Sequence, residues 1–243
     1  MKSLKITIIT VSFNAVKTIE RTILSVINQS YTNLEYIIVD GGSTDGTLDV
    51  IKQYAGKISK WISESDRGIY DAMNKGISMA TGDVIGILNS DDILHDGNTV
   101  EKIADCYNTS DSLFILHGNI NYVVNGVSHI RRPDDKIEKM KVGPVVFHPT
   151  MYVPKRIYEE VGYFSTSYKI ASDYDMMLRI YMKGYTYRYI DSVVVDMSAG
   201  GASDKRKMLG FYECYKVTLK AGLNPVICTI NYLKRVIGSY ISL

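Results

Sequence analysis

The chain has 243 residues, 46% of them hydrophobic and 22% charged, with only five prolines, a composition that excludes a disordered or fibrous protein. Its three cysteines, Cys106, Cys214 and Cys228, are odd in number and lack CxxC spacing, so neither a disulfide framework nor a zinc site is indicated. The net charge of +2 is uneven: from Lys205 to Leu243 there are seven Lys/Arg and one acid, Glu213, while the main body is mildly acidic, the reverse of a nucleic-acid binder.

Met1-Lys2-Ser3-Leu4-Lys5 leads into a β-branched run without the apolar core of a signal peptide, so a cytoplasmic protein is expected. Strands are predicted at Ile6–Val11, Leu34–Asp40, Trp61–Ile62 and Val84–Asn89. They alternate with helices at about 16–29, 47–54 and 70–80. Apolar strands alternating with helices imply an α/β fold with a mostly parallel sheet covered on both faces, whose ligands gather at the carboxyl ends of the strands. Ser12, Asn14, Asp40 and the pair Asp91-Asp92 fall at three such ends. Residues of these types also cap helices and make turns, and for Ser12 that use competes evenly with ligand binding.

The second half reads differently. Asn125-Gly126 between two β-rich runs, 113–124 and 127–131, signals a type I′ hairpin and an antiparallel addition. Pro154 suits the first turn of a helix to about Val161, Asp173 to Met182 has helical period closed by Gly184, and Tyr185 to Asp196 reads as a last strand. Beyond Gly201, Met208, Tyr212, Tyr215 and Leu219 recur at helical spacing, and Pro225 opens a second amphipathic helix. Lys234-Arg235 interrupts the longest apolar stretch, so no bilayer span is expected. This basic segment either lies on an anionic membrane surface or packs on the core or on another subunit, which keeps a homodimer open.

Two adjacent carboxylates ending a buried strand are costly unless a cation or donors meet them. Mg²⁺ or Mn²⁺, held by one or two carboxylates together with substrate phosphates, would resolve that conflict at Asp91-Asp92, although an Asp pair can also begin a turn. Ser12 to Val16 contains no glycine, which argues against a dinucleotide-binding dehydrogenase.

These motifs resemble those of family 2 glycosyltransferases with the GT-A fold. The resemblance rests on Thr10-Val-Ser-Phe-Asn14, Thr22 to Tyr31, Glu35-Tyr-Ile-Ile-Val-Asp40-Gly-Gly-Ser43-Thr-Asp45-Gly-Thr47, Ser63-Glu-Ser-Asp66-Arg-Gly68-Ile-Tyr-Asp71-Ala-Met-Asn74-Lys-Gly76, Ala80 to Asp83 and Leu88-Asn-Ser-Asp91-Asp92. It continues more loosely through Phe147-His148-Pro149-Thr150 and Ala171-Ser-Asp173-Tyr-Asp175. It implies a nucleotide site of Thr10, Ser12, Asn14, Asp40 and Ser43, with Asp66, Asp71, Asn74 and His148 near the donor, Asp91 on the ribose, Asp92 on a Mn²⁺ or Mg²⁺ and Asp173 as the base. Asp71 and Asn74 compete with helix-surface roles, Asp173 with a helix cap, and His148 with ordinary packing. Ser172 stands where relatives often carry a further acid.

The activity so implied is transfer of a monosaccharide from a nucleotide-diphosphate sugar, UDP by family analogy, to a hydroxyl of a lipid-linked saccharide with inversion to a β-linkage. Surface-polysaccharide synthesis, such as O-antigen or exopolysaccharide, at the inner face of the cytoplasmic membrane is the expected setting. A sugar nucleotidyltransferase and a non-catalytic nucleotide-sugar-binding scaffold are the alternatives. The expected organisation is a GT-A domain over 1–204, with a nucleotide-sugar half at 1–95 and an acceptor half at 96–204, followed by the basic helical segment 205–243.

Overall fold

The computed structural model describes residues 4–109, 113–201 and 205–241. Strands β1 (Ile6–Ser12), β2 (Leu34–Asp40), β3 (Lys60–Ser63) and β4 (Val84–Asn89) alternate with helices α1 (Ile19–Ile27), α2 (Thr47–Gln53) and α3 (Ile69–Met79). Next come β5 (Ile93–Leu94), α4 (Thr99–Asn108), the hairpin β6 (Phe114–Val124) and β7 (Val127–Arg131), β8 (Tyr152–Pro154), α5 (Lys155–Val161), α6 (Ser172–Met182) and β9 (Thr186–Ser198). The chain ends in α7 (Lys207–Lys220) and α8 (Pro225–Ile241).

Among the described residues nine strands join one mixed sheet in the order β3-β2-β1-β4-β8-β6-β9-β5, with β7 paired to β6. β1 is parallel to both β2 and β4, and β2 to β3, as the alternating pattern requires. Successive β1 side chains enter opposite cores: Ile6 and Ile8 meet α1 residues Ile19 and Ile23, whereas Ile9 and Val11 share a cluster with Met73 and Ile77 of α3. Burial on both faces explains the near-continuous apolar run, and each Ile so buried contributes roughly 1.5–3 kcal/mol. α3 lies close on β1 because residue 76 is glycine; a Cβ there would come 2.4 Å from Ile9 Cγ2.

The hairpin turn has the expected hand, with Asn125 at φ 50° and Gly126 at φ 79°. Three elements were not expected: α4, and the two- and three-residue strands β5 and β8. Pro154 is not in the first turn of α5 but closes β8, one residue before the helix.

The shortness of β8 shapes the site. β8 runs antiparallel to β4 and β6, with Tyr152 opposite both Gly86 and Leu116. The residues just before it therefore fall alongside the carboxyl halves of β4 and β6. There the chain turns as a 3-10 helix, His148–Thr150, with Thr150 Oγ1 accepting from the Gly118 N–H at 3.3 Å. A turn thus wedges apart two strands at the carboxyl edge.

The basic segment is not a detached appendage. Val217 of α7 belongs to the α3/α6 core, and Glu213 is buried. α8 folds back on α7, stacking Tyr232 on Tyr215 at 5.2 Å, and the Arg235 guanidinium lies so close to Gly143 that any Cβ there would overlap it. No helix among the described residues is long and apolar enough to cross a membrane.

Candidate active site

The loops after β1 and β2 are tied together by short polar side chains. Asn14, in the left-handed region at φ 49°, accepts from the Thr44 N–H at 3.0 Å, while its own N–H donates to Ser43 Oγ at 2.8 Å. Asp45 takes the Val16 N–H and the Thr47 hydroxyl. Backbone donors of each loop are met by side chains of the other, about thirty residues away in sequence, while the Thr47 N–H is met by Asp45 two positions back, the usual work of Asn, Asp and Ser in loops.

Asp40 lies beneath this web, fully buried. Its Oδ1 accepts from Ser12 Oγ (3.0 Å) and Ser43 Oγ (2.5 Å), and its Oδ2 from Ser63 Oγ (2.7 Å) and the N–H groups of Gly42 (3.1 Å) and Ser43 (2.9 Å). Burial pushes this carboxyl up, but the donors from Ser43, Ser63 and Ser12 outweigh it and hold it below the usual carboxylate value. Thr10, also expected here, points deeper: it is fully buried and its hydroxyl accepts from Tyr36 at 3.1 Å. Phe13, between Ser12 and Asn14, is 64% exposed at the same edge. A large apolar residue inside an otherwise polar loop is the signal that marks Phe13 in the sequence.

Asp66 sits against Gly41. A Cβ at Gly41 would come 2.5 Å from Asp66 Oδ2, and Asp66 Oδ1 accepts from the Gly68 N–H at 2.8 Å. Asp71 is engaged by Arg67 through its backbone N–H (3.1 Å) and guanidinium (3.0 Å). Asn74 is engaged on both sides of its amide, donating to the Phe164 carbonyl at 2.8 Å and accepting from the Phe164 N–H at 2.9 Å. It therefore clamps the loop between α5 and α6.

At the end of β4, Asp92 is 3% exposed, and burial and then the neighbouring Asp91 push its carboxyl up to about 7. Asn89 donates to Asp92 Oδ2 at 2.9 Å, while Arg21 donates to the Asp91 carbonyl at 2.7 Å and to Ser198 Oγ at 2.9 Å, tying the end of β9 to this edge. Among the described residues, no three His, Cys, Asp or Glu are grouped to hold a metal. A buried carboxylate beside a second one nevertheless fits a hard divalent cation that takes one or two protein ligands and completes its shell with phosphate and water. The unpartnered Asn89 Oδ1 is a further oxygen beside the pair.

A further acid, Asp173, comes from the first turn of α6 in the opposite half of the chain. Tyr70, in the first turn of α3, donates to the Ile170 carbonyl at 2.6 Å and to Asp173 Oδ1 at 3.3 Å, drawing the first turn of α6 onto the carboxyl edge. Burial pushes Asp173 up, and nearby His148, the Tyr174 N–H and the Tyr70 hydroxyl pull it part of the way back. His148 is pushed down by burial against the pull of Asp173, and its ring stands edge-on to Phe164 at 5.6 Å, which stacks on Tyr70 at 5.8 Å. Asp173 and His148 are thus brought together, on the edge that carries Asp40 and Asp92. Buried polar atoms without a partner among the described residues flank both acids: Asn89 Oδ1 beside Asp92 and Ser172 Oγ beside Asp173.

A "PGL/p-HBAD biosynthesis glycosyltransferase" of Mycobacterium bovis is 23% identical over 219 residues, covering 88% of this chain and 85% of its own length. The S. aureus TarS structure superposes with a TM-score of 0.72 at 18% identity, over 96% of this chain and 43% of TarS, so the chain spans less than half of that protein. Mannosyltransferase PcManGT from Pyrobaculum calidifontis, in complex with GDP-Man and Mn²⁺, gives 0.66 at 19% identity, covering 99% of this chain and 76% of that one. The family model described as "Glycosyl transferase family 2" matches residues 7–162. The chain is a glycosyltransferase that belongs to glycosyl transferase family 2 and carries the GT-A fold.

Proposed function

We propose that the protein moves a monosaccharide from a UDP-sugar to a hydroxyl of a lipid-linked saccharide, inverting the anomeric carbon to give a β-linkage. One observation carries this reading: an adjacent acid pair just beyond β4, Asp91-Asp92, and a separate buried acid, Asp173, share one sheet edge. A crystal structure of TarS 1–349 in complex with UDP-GlcNAc, with a TM-score of 0.71, supports the choice of UDP, and the "PGL/p-HBAD biosynthesis" named for the mycobacterial relative is in keeping with a lipid-linked acceptor.

In this reading Asp40, with Ser12, Ser43 and Asn14 around it, receives the base and ribose side of the nucleotide. Asp66 closes that pocket over Gly41, Phe13 offers its ring as a stacking face, and Asp91 meets the ribose. Thr10 supports the pocket from behind through Tyr36, while Asp71 and Asn74 hold the surrounding loops. Asp92, with Asp91 beside it, would hold Mn²⁺ or Mg²⁺, which supplies positive charge to the departing diphosphate. Asp173 accepts the acceptor hydroxyl's proton as that oxygen bonds to the anomeric carbon and the bond to diphosphate breaks. His148 lies within electrostatic reach of the base and orients the reacting groups. A base on one side and a leaving group on the other require only one displacement, hence inversion.

Donor binding by 1–95 and acceptor binding by 96–204 follow from the same division. Docking on the inner face of the cytoplasmic membrane is supported by α8, where Val226, Ile230, Leu233, Ile237 and Tyr240 form an exposed stripe beside Lys234 and the basic α7. The deciding experiment is a sugar-nucleotide screen with lipid-linked acceptor mimics, with and without Mn²⁺, read by mass spectrometry. Glycosylated acceptor and free UDP support the proposal. Pyrophosphate release would indicate a nucleotidyltransferase, and binding without turnover a scaffold.

A further inference from the structure

We propose that Glu213, the one acid of the basic C-terminal segment, is a positioning residue for Asp173, an inference that rests on reading Asp173 as the proton acceptor. Glu213 lies on α7 and is 6% exposed. A carboxylate removed from water is costly unless donors surround it. Its donors are three successive backbone N–H groups: Oε2 accepts from Lys169 (3.1 Å), Ile170 (2.8 Å) and Ala171 (3.0 Å), and Oε1 from Lys169 (2.9 Å). Consecutive N–H groups converging on one anion form a concave nest, and here the anion is supplied by a helix about forty residues downstream.

These three residues lead directly into α6, whose N-terminus has no side-chain cap of its own. The Ile170 carbonyl accepts from the Tyr70 hydroxyl that also reaches Asp173 Oδ1. One side of the segment is therefore held by α7 and the other by α3, with Asp173 two residues beyond. α7 approaches this closely because residue 210, one turn earlier, is glycine: a Cβ there would lie 3.2 Å from Ile170 Cγ2. Apolar packing alone would hold α7 on the core. A carboxylate spent on the backbone N–H groups ahead of the base fixes where that base sits, and a shift of about 1 Å at such a group can cost on the order of 100-fold in rate.

The test uses the full chain with Glu213→Ala and Glu213→Gln, and Asp173→Asn in parallel. The expected result is a fall in kcat of roughly 10- to 100-fold for Glu213→Ala and a smaller fall for Glu213→Gln. The Kd for UDP-sugar should stay at the parent value in both. Amide hydrogen exchange should speed up at Lys169–Ala171 and stay unchanged in β1 and β4. Parent-like kcat in either folded variant, or unchanged exchange at 169–171, overturns the proposal. So does a loss of protection spread evenly over the chain together with lost donor binding. Should Glu213→Ala not fold, Glu213→Gln, which keeps the shape, decides the question. Full activity of Asp173→Asn would instead refute the underlying assignment of the base, whatever the Glu213 variants do.

Discussion

The side-chain nitrogen of Asn89 donates to Asp92 Oδ2 across 2.9 Å, while the Asn89 oxygen has no partner among the described residues. This half-satisfied pair sets a pH signature. The folded-state pKa of Asp92, about 7, lies above its ordinary value of 3.8, so its contribution to stability is fully present below about pH 4 and is lost as pH rises through 7. Asp92→Asn removes that loss. The metal-free variant is expected to be more stable than the parent at pH 8, on the order of 2–4 kcal/mol, with transfer abolished. Mn²⁺ affinity of the parent should fall below pH 7 as protons compete for the carboxylate. Thermal melts at pH 6 and 8, with calorimetric Mn²⁺ titrations, check both; a variant less stable than the parent at pH 8 contradicts the argument.

Asp173→Asn should lower transfer by about 10²- to 10⁴-fold with donor affinity unchanged. Because burial raises the Asp173 carboxyl, the parent's rate should climb with pH through a midpoint above the usual carboxylate range. That limb should vanish in the variant's residual activity. A pH–rate profile of identical shape in both proteins would remove Asp173 from the mechanism.

Phe13→Ala tests the exposed ring at the nucleotide end. Loss of a stacking face costs about 1–3 kcal/mol of donor affinity, so KM for the donor should rise while kcat holds. Calorimetry with UDP separates this from a folding defect, and an unchanged Kd would leave Phe13 without a role in binding.

Asn74→Ala should act on stability first. Two hydrogen bonds to the Phe164 backbone are lost and buried groups are left without partners, at a cost of about 1–3 kcal/mol. Urea unfolding should show a lowered midpoint with an unchanged slope. Donor affinity that collapses without any loss of stability would return Asn74 to the donor site.

Removing the whole basic segment confounds two effects, since Glu213 and Val217 are buried in the main body. Replacing Ile230, Leu233 and Ile237 together by Ser changes only the exposed stripe. The variant should no longer float with anionic vesicles, yet it should keep parent activity on a soluble acceptor. A parent that sediments as a dimer, becoming monomeric in the variant with no change in flotation, would assign the stripe to a second copy of the chain.

Much of the first half was legible because β1, β2 and β4 are buried on both faces and their polar ends are short and regular. The β6-β7 hairpin was equally plain, since only Asn-Gly or a similar pair tolerates two successive positive φ values. β5 and β8 were not legible: two or three residues have no period, and β5 pairs with a strand about a hundred residues away, while β8 pairs with strands about seventy and about thirty-six residues away. α4 spaces Val100, Ile103, Ala104 and Tyr107 helically, but its mixed polar surface dulled the signal. Thr10 lies within the motif at the end of β1, but the pleat turns its hydroxyl inward to Tyr36, which no local pattern in the sequence foretells. Glu213 was visible as a lone acid among bases, yet nothing local says that three N–H groups wait for it across the fold.

The tie between α7 and α8 has a geometric consequence. Stacked tyrosines and the Arg235 contact at Gly143 hold α8 against the body, and Glu213 anchors α7 to the approach to Asp173. The outer stripe and the sheet edge thereby keep one mutual bearing. Under the proposed surface docking through that stripe, the opening would stand at a single height and tilt, and the length of an acceptor's stem would then act as a selection rule independent of its sugars.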